Sequence, residues 1–366
     1  MCPWPTQLVG VSLSLLLVAS LQAAELPWIA VSPDGQGFVQ TPEQKPFRVR
    51  GFNYDHDDQG RLLEDYWDKE WDAIVEDFGE MKALGANVVR IHLQFGRFME
   101  AADRPNARSL AMLDRLVQLA ERTDLYLDLT GLGCYHKQDV PAWYDALSEA
   151  DRWDAQARFW EAIASRCCKS PAVFCYDLMN EPVVPGGKRQ DGAWLGPAFA
   201  GKHFVQLIAL DQAGRSRPAI AREWIRRLVQ AIRKHDQRHL VTVGLVDWSL
   251  DRPGLTSGFV PKDVAADLDF LCVHIYPESG KVAEALATLE GFNVGKPVLI
   301  EETFPLKCSL KEFEQFLDGA EPHSVGFVGF YWGKPEAELK KSREFKDAYL
   351  LAWLECFRKR AAVPPR

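Results

Sequence analysis

What the sequence lacks excludes several large classes of protein. Beyond residue 24 there is no uninterrupted apolar run approaching 18 residues, so no membrane-spanning helix is expected in the bulk of the chain. No CxxC pair, HxH or HExxH frames a zinc site. No GxGxxG or GxxxxGK[ST] follows the first strand-like segment, which removes the commonest ligand signature of a doubly wound sheet. Repeats, low-complexity tracts and linkers are absent, which favours one domain. Basic residues are not in excess: 43 Lys and Arg stand against 51 Asp and Glu, a formal charge of −8, so nucleic acid is not an expected partner. What remains is ordinary globular composition, 47% apolar and 26% charged over 366 residues, with 12 Trp and 20 Phe.

The first 24 residues contain no Lys, Arg, Asp or Glu, and an apolar run from Leu8 to Leu21 is followed by Gln22-Ala23-Ala24. The run is too short to span a bilayer and has the form of a signal-peptide core ending in small residues. Residues 1–24 are therefore expected to be a cleaved signal peptide and residues 25–366 the mature domain. That domain is expected to be secreted or periplasmic, monomeric and without stable membrane insertion. Cys2 falls in the signal, and the other seven cysteines cannot all pair within one chain. Cys134, Cys175 and Cys272 sit in or beside apolar strand-like runs, where cysteine is usually a small buried apolar residue. One or two disulfides at most are compatible with this pattern.

From residue 45 onward, short β-branched or aromatic runs alternate with amphipathic helical stretches. The strand-like runs are 47–53, 87–93, 125–130, 173–178, 240–245, 268–275, 297–301 and 325–331. Several are almost continuously apolar, as in strands buried on both faces. Helical periodicity covers 66–84, 110–122, 158–166, 218–235, 282–289, 310–317 and 343–357. Eight strands alternating with helices predict an α/β fold of the (β/α)8 barrel type, with a doubly wound open sheet as the rival. One connection, 182–217, is long, rich in Gly and Pro and only partly patterned. Such loops are usually functional, and this one would rise on the face where barrel active sites sit.

Polar groups gather at the predicted strand ends: Asn53-Tyr54-Asp55-His56, Arg90-Ile91-His92, Asn180-Glu181-Pro182, His274-Ile275-Tyr276, Glu301-Glu302 and Tyr331-Trp332. Buried charge is costly unless paired, so such clusters usually have a task. Two carboxylates at the ends of the fourth and seventh strands suit glycosidic bond cleavage. One donates a proton to the leaving oxygen and the other attacks the anomeric carbon; retention needs them about 5–5.5 Å apart. Arg90 would keep the nucleophile ionised by charge pairing. Asn180 would reach the sugar 2-hydroxyl, and Trp332 would stack on a pyranose.

The run Asp177-Leu178-Met179-Asn180-Glu181-Pro182 resembles the Asn-Glu-Pro signature of glycoside hydrolase family 5, the cellulase family within clan A of the retaining glycosidases. In the family's order follow Arg50-Gly51-Phe52-Asn53, Asn87-Val88-Val89-Arg90, His274-Ile275-Tyr276, Lys296-Pro297-Val298-Leu299-Ile300-Glu301-Glu302 and Tyr331-Trp332. The resemblance covers about residues 47–335. It implies a cofactor-free retaining β-glycosidase acting on a β-glucan, β-mannan or derived oligosaccharide. By position it makes Glu181 the acid/base and Glu302 the nucleophile. Asn180 becomes the 2-hydroxyl contact, Arg90 and Tyr276 the groups that orient the nucleophile, His274 a substrate partner and Trp332 the sugar platform. Where the family usually has Glu-Phe-Gly, Glu302-Thr303-Phe304 stands here; where it often has Asp-Leu-His, Asp128-Leu129-Thr130 stands, with Tyr135 or His136 as substitutes.

Each residue also has a plainer reading. Arg90 could bridge a structural carboxylate such as Asp128, His274 could be a satisfied core histidine, Tyr276 a rim aromatic and Trp332 barrel packing. Adjacent Glu301 and Glu302 are expected on opposite sides of their strand, with the motif favouring Glu302 as nucleophile. Two whole-protein alternatives stand beside the glycosidase: a catalytically inactive polysaccharide-binding barrel, and a metal-dependent hydrolase using Asp55, His56 and His92.

Overall fold

The computed structural model describes residues 26–362 apart from 251, 253 and 254. The expected signal peptide at 1–24 and Cys2 lie outside the described residues. Eight parallel strands close into a ring: β1 (Val49–Tyr54), β2 (Val88–Gln94), β3 (Tyr126–Gly133), β4 (Val173–Asn180), β5 (Leu240–Val246), β6 (Leu271–His274), β7 (Val298–Thr303) and β8 (Gly326–Gly329). β8 pairs with β1 through Gly326 opposite Val49 and Gly329 opposite Phe52, so no edge is left unpaired in the ring. Around it lie α1 (Trp71–Ala83), α2 (Ala107–Thr123), α3 (Glu149–Cys167), α4 (Arg217–Arg233), α5 (Val282–Gly291), α6 (Leu310–Ala320) and α7 (Phe345–Ala361). The expected (β/α)8 barrel is the observed fold, and the eight parallel strands close on themselves where the rival fold would leave an open sheet. Among the described residues, the crossover after β5 carries one short α-helix, Pro261–Val264, with 3-10 turns at Asp247–Ser249 and Ala265–Asp267.

Local chemistry sets the helix starts. The Asn106 side chain accepts from the backbone N–H of Arg108 and Ser109, and Ser148 and Ser216 each accept one such bond. Ser309 and Glu312 form a reciprocal capping box at α6. Helix α3 starts nine residues before its expected position, at Glu149 rather than 158. Its first turns bury Arg152 and Gln156 beside Trp153, with the Arg152 guanidinium over the rings of Tyr144 and Trp194. An apolar count misses a face built from these polar groups.

A three-stranded antiparallel sheet, Trp28–Val31, Phe38–Thr41 and Lys45–Phe47, precedes the barrel. Phe38 packs edge-on against Phe174 and Phe270, and Phe47 against Tyr126, all near the N-terminal ends of barrel strands. The sheet thus seals the end opposite the strand C-termini. The seven described cysteines are all free thiols. No described helix is long and apolar enough to cross a membrane.

Candidate active site

Strand β2 carries Arg90 into the barrel, where it is fully buried. Its Nη1 donates to Asn53 Oδ1 (2.9 Å) and Glu302 Oε1 (2.6 Å). Its Nη2 donates to Asp177 Oδ2 (2.8 Å) and Asn180 Oδ1 (2.9 Å) and lies 3.4 Å from Glu301 Oε2. Residues from β1, β4 and β7 therefore converge on one planar cation carried by β2, whose fork can satisfy several oxygens at once. Burial disfavours the Arg90 charge, but Glu301, Asp177 and Glu302 outweigh it and keep the guanidinium firmly protonated.

The carboxylates below Arg90 differ by environment. Burial and then Glu301 raise Asp177 to about 6, against Arg90 and the Thr130 hydroxyl. Burial and then Glu301 push Asp128 well above the carboxylate range, against the Arg90 charge and a contact with the Cys175 thiol. Glu301 resists its burial through Arg90 and His274 and stays at about 2.

His274 ends β6. Its Nδ1 lies 3.0 Å from Glu181 Oε1 and its Nε2 lies 3.2 Å from Glu301 Oε2. Burial works against the imidazolium, but Glu302, Glu181 and Glu301 raise it to about 10. At neutral pH both ring nitrogens therefore donate. Glu302 accepts from Arg90 and from the Tyr276 hydroxyl (2.7 Å). Burial pushes the Glu302 carboxyl upward and Glu181 adds to this; His274, Arg90 and Tyr276 pull it down.

Glu181 adopts φ 47°, a left-handed conformation uncommon for a residue with a side chain. Its backbone N–H donates to Gly244 O (2.9 Å), and Pro182 follows. This turn aims the carboxyl back over the mouth of the barrel. One oxygen of Glu181, one oxygen of Glu302 and a nitrogen of His274 all lie within 4.8 Å of one another. Asn180 is held from both ends, its Oδ1 by Arg90 and its Nδ2 by Phe204 O (3.1 Å).

Two cavities meet at Glu181. One of about 430 Å³ is apolar and also touches Glu302, Tyr276, Phe204, Phe330 and Tyr331. The other, about 530 Å³, is polar and includes His274, Trp248 and Arg252.

Two expectations need correction. Trp332 is 1% exposed and offers no face to either cavity: its indole donates to Asp77 Oδ1 (2.8 Å) and its ring stands edge-on to Phe52. Strand β8 stops at Gly329, and the turn that follows puts Phe330 and Tyr331 in the cavity and sends Trp332 into the wall. Glu301 and Glu302 also do not part company. The register shifts between β7 and both neighbours bend the strand, so that both carboxylates reach Arg90. Glu301 is fully buried inside the ring, and Glu302 lines the cavity.

His92 is hydrogen-bonded by Tyr135 and Asn53, and burial with the Arg90 charge keeps it neutral. His56 pairs with Asp55 at 2.8 Å and stacks on Tyr331, so these three residues do not gather around one point. His136 turns to Asp139. The sequence reading gave no role to Asp177 or Phe330, whereas the 182–217 segment does rise on this face, with Phe199, Lys202 and Phe204 lining the cavity; the lone carboxylate of Asp177 inside the apolar run of β4 was the available signal.

Residues 41–333 match the cellulase family, glycosyl hydrolase family 5. The chain belongs to this family of glycoside hydrolases. It is 25% identical over 228 residues to the probable mannan endo-1,4-beta-mannosidase A-1 of Aspergillus terreus, covering 54% of this chain and 50% of that protein. Among solved structures, it resembles the exo-beta-1,4-mannosidase Op5Man5 from Opitutaceae bacterium strain TAV5 (TM-score 0.64, 18% identity, 92% of this chain and 63% of that one). The endo-1,4-beta-mannanase from Rhizomucor miehei is similar at TM-score 0.62 and 18% identity, over 91% of this chain and 99% of that one. The chain thus spans about half the length of the curated relative it matches. At these identities the structural likeness speaks for the barrel.

Proposed function

We propose that this member of family 5 is a secreted, retaining β-glycosidase that hydrolyses O-glycosidic bonds of a β-mannan, β-glucan or derived oligosaccharide. The observation that carries the reading is the approach of Glu181 and Glu302 to within 4.8 Å. That is near the separation of about 5–5.5 Å at which the second carboxylate attacks directly, leaving no room for a water between them. The mannan-acting relatives favour mannan among the substrates.

In this reading Glu302, oriented by Arg90 and Tyr276, attacks the anomeric carbon. Glu181 protonates the departing oxygen and then deprotonates the water that releases the sugar. His274, charged and touching Glu181, holds that carboxyl in place. Asn180, fixed by Arg90, keeps an N–H toward the sugar 2-hydroxyl. Export follows from the charge-free apolar leader at 1–24, and a mature protein whose first residue is Met1 would contradict it.

The test is hydrolysis of nitrophenyl β-mannoside and β-glucoside by the wild type and by Glu181→Gln and Glu302→Gln. Each substitution is expected to lower the rate about 10³-fold or more, several kcal/mol of transition-state stabilisation. Full activity in both variants, or a first-formed product of inverted anomeric configuration by NMR, overturns the proposal.

A further inference from the structure

The two cavities divide the substrate between them. Resting on the retaining-glycosidase reading, the sugar attacked by Glu302 lies in the cavity that Glu302 lines, and the leaving group lies beyond Glu181 in the polar one. The first cavity is therefore the glycone side, where a longer chain would continue toward its non-reducing end. In this protein that side is walled.

The wall is a hairpin, residues 196–205, within the long segment after β4. Gly196 N–H donates to Val205 O (2.8 Å), and Phe199 and Lys202 exchange two backbone bonds across a turn with Ala200 at φ 48° and Gly201 at φ 78°. Two successive positive φ values make the tight turn whose twist matches a hairpin. The hairpin is pinned from below. His203 N–H donates to Tyr135 O after β3, Phe204 O accepts from Asn180, and the Phe204 ring stands against Tyr135. Lys202 carries it to the far side, where a Cβ on Gly60, in the turn after β1, would lie 3.3 Å from its Nζ. A strap from β4 to the β1 turn covers the β2–β3 side of the mouth.

Lys202 is only 5% exposed and lines the glycone cavity with His56. No described acceptor lies within hydrogen-bond or ion-pair distance of its ammonium, although the buried Asp55 carboxylate senses its charge through space. An ammonium that borders the cavity with no acceptor in hydrogen-bond reach keeps its donors for a ligand's oxygens.

We propose that the protein acts only at the non-reducing terminus of its β-linked substrate: the 196–205 hairpin closes the glycone cavity, and Lys202 is the specificity-determining residue that binds the hydroxyl groups of the terminal sugar. The cavity is of the size that takes a small ligand, and the hairpin stands where an internal segment of a polymer would have to pass.

The experiment uses the whole protein with β-1,4-mannohexaose and cellohexaose tagged at their reducing ends, and with the mannan and cellulose polymers. One tagged product, short by a fixed terminal unit, is expected at early times, with polymer viscosity unchanged. Several tagged products together with a fall in viscosity overturn the closed glycone site and leave the glycosidase standing. No turnover of these probes or of nitrophenyl glycosides overturns the parent reading instead. Lys202→Met, which keeps the stem and loses the charge, is expected to raise KM by about 10- to 100-fold with a smaller change in kcat. Lys202→Arg, which restores a cation, is expected to recover most of that loss. Wild-type KM in Lys202→Met overturns the role of the ammonium.

Discussion

Glu301 and Glu302 are neighbours of one residue type, yet their surroundings give them different tasks. Glu302 reaches the cavity; Glu301 sits wholly inside the ring, between Arg90 and His274. Its charge helps hold the proton on His274, together with Glu302 and Glu181, while Arg90 opposes it. Glu301→Gln keeps the size and loses the charge, so His274 releases its proton at lower pH. The titration of the His274 ring, followed by NMR, is expected to move down by roughly one pH unit or more. An unchanged His274 titration would sink this account. The sign for stability follows from the same shift. The folded value of about 10 exceeds the ordinary 6.5, so the contribution of His274 is complete below pH 6.5 and fades as pH rises toward 10. The pair also marks where the sequence stopped being legible. Motif position singled out Glu302, but strict alternation put Glu301 on the other face, because a register shift in β7 leaves no trace in residue type.

At the scale of the element, the strands were legible because both faces are buried and the runs are therefore apolar. Their ends were legible because charge appears there abruptly. Where a strand stops was harder to read. The sequence extends β8 through Tyr331, whereas its ladder ends at Gly329, and that difference of two residues exchanges Trp332 for Phe330 and Tyr331 in the cavity. Strand β5 offers a sharper case. Gly244 looks like a weak point in an apolar run, yet a Cβ there would lie 2.9 Å from Glu301 Oε2, 3.0 Å from Arg90 Nη2 and 3.1 Å from Asp177 Oδ2. Its N–H also donates to Asp177 Oδ1 (2.7 Å) and its carbonyl accepts from Glu181. The missing side chain makes room for the buried charges, and the backbone of the same residue anchors the Asp177 carboxylate and the main chain of Glu181. Gly244→Ala is expected to displace Arg90 from Glu302 and to lower kcat/KM at least about tenfold, with an overpacking cost of about 1–3 kcal/mol. Steady-state kinetics beside thermal melting tests this, and wild-type kinetics in a folded variant would refute it.

For the whole molecule, the two ends of the barrel carry separate duties. The strand C-termini hold the charged site, and the N-terminal sheet seals the other end with aromatic contacts. That sheet went unread because its strands are three or four residues long and mix polar with apolar positions, below the length at which alternation is distinguishable from a loop. Its importance is a matter of contact between distant parts of the chain. Phe38 is 2% exposed, and its ring meets Phe174 at 5.1 Å and Phe270 at 5.0 Å, both edge-on. Truncation to alanine removes this plug and leaves a cavity under β4 and β6, a change that typically costs about 3–5 kcal/mol. None of the groups around Arg90 touches it, because they lie at the opposite ends of the same strands. Phe38→Ala is therefore expected to lower the urea midpoint markedly while kcat and KM at 25 °C stay within about twofold of the wild type. A large loss of activity in the still-folded variant would mean that the two ends are coupled through the strands, and the division of duties would fail.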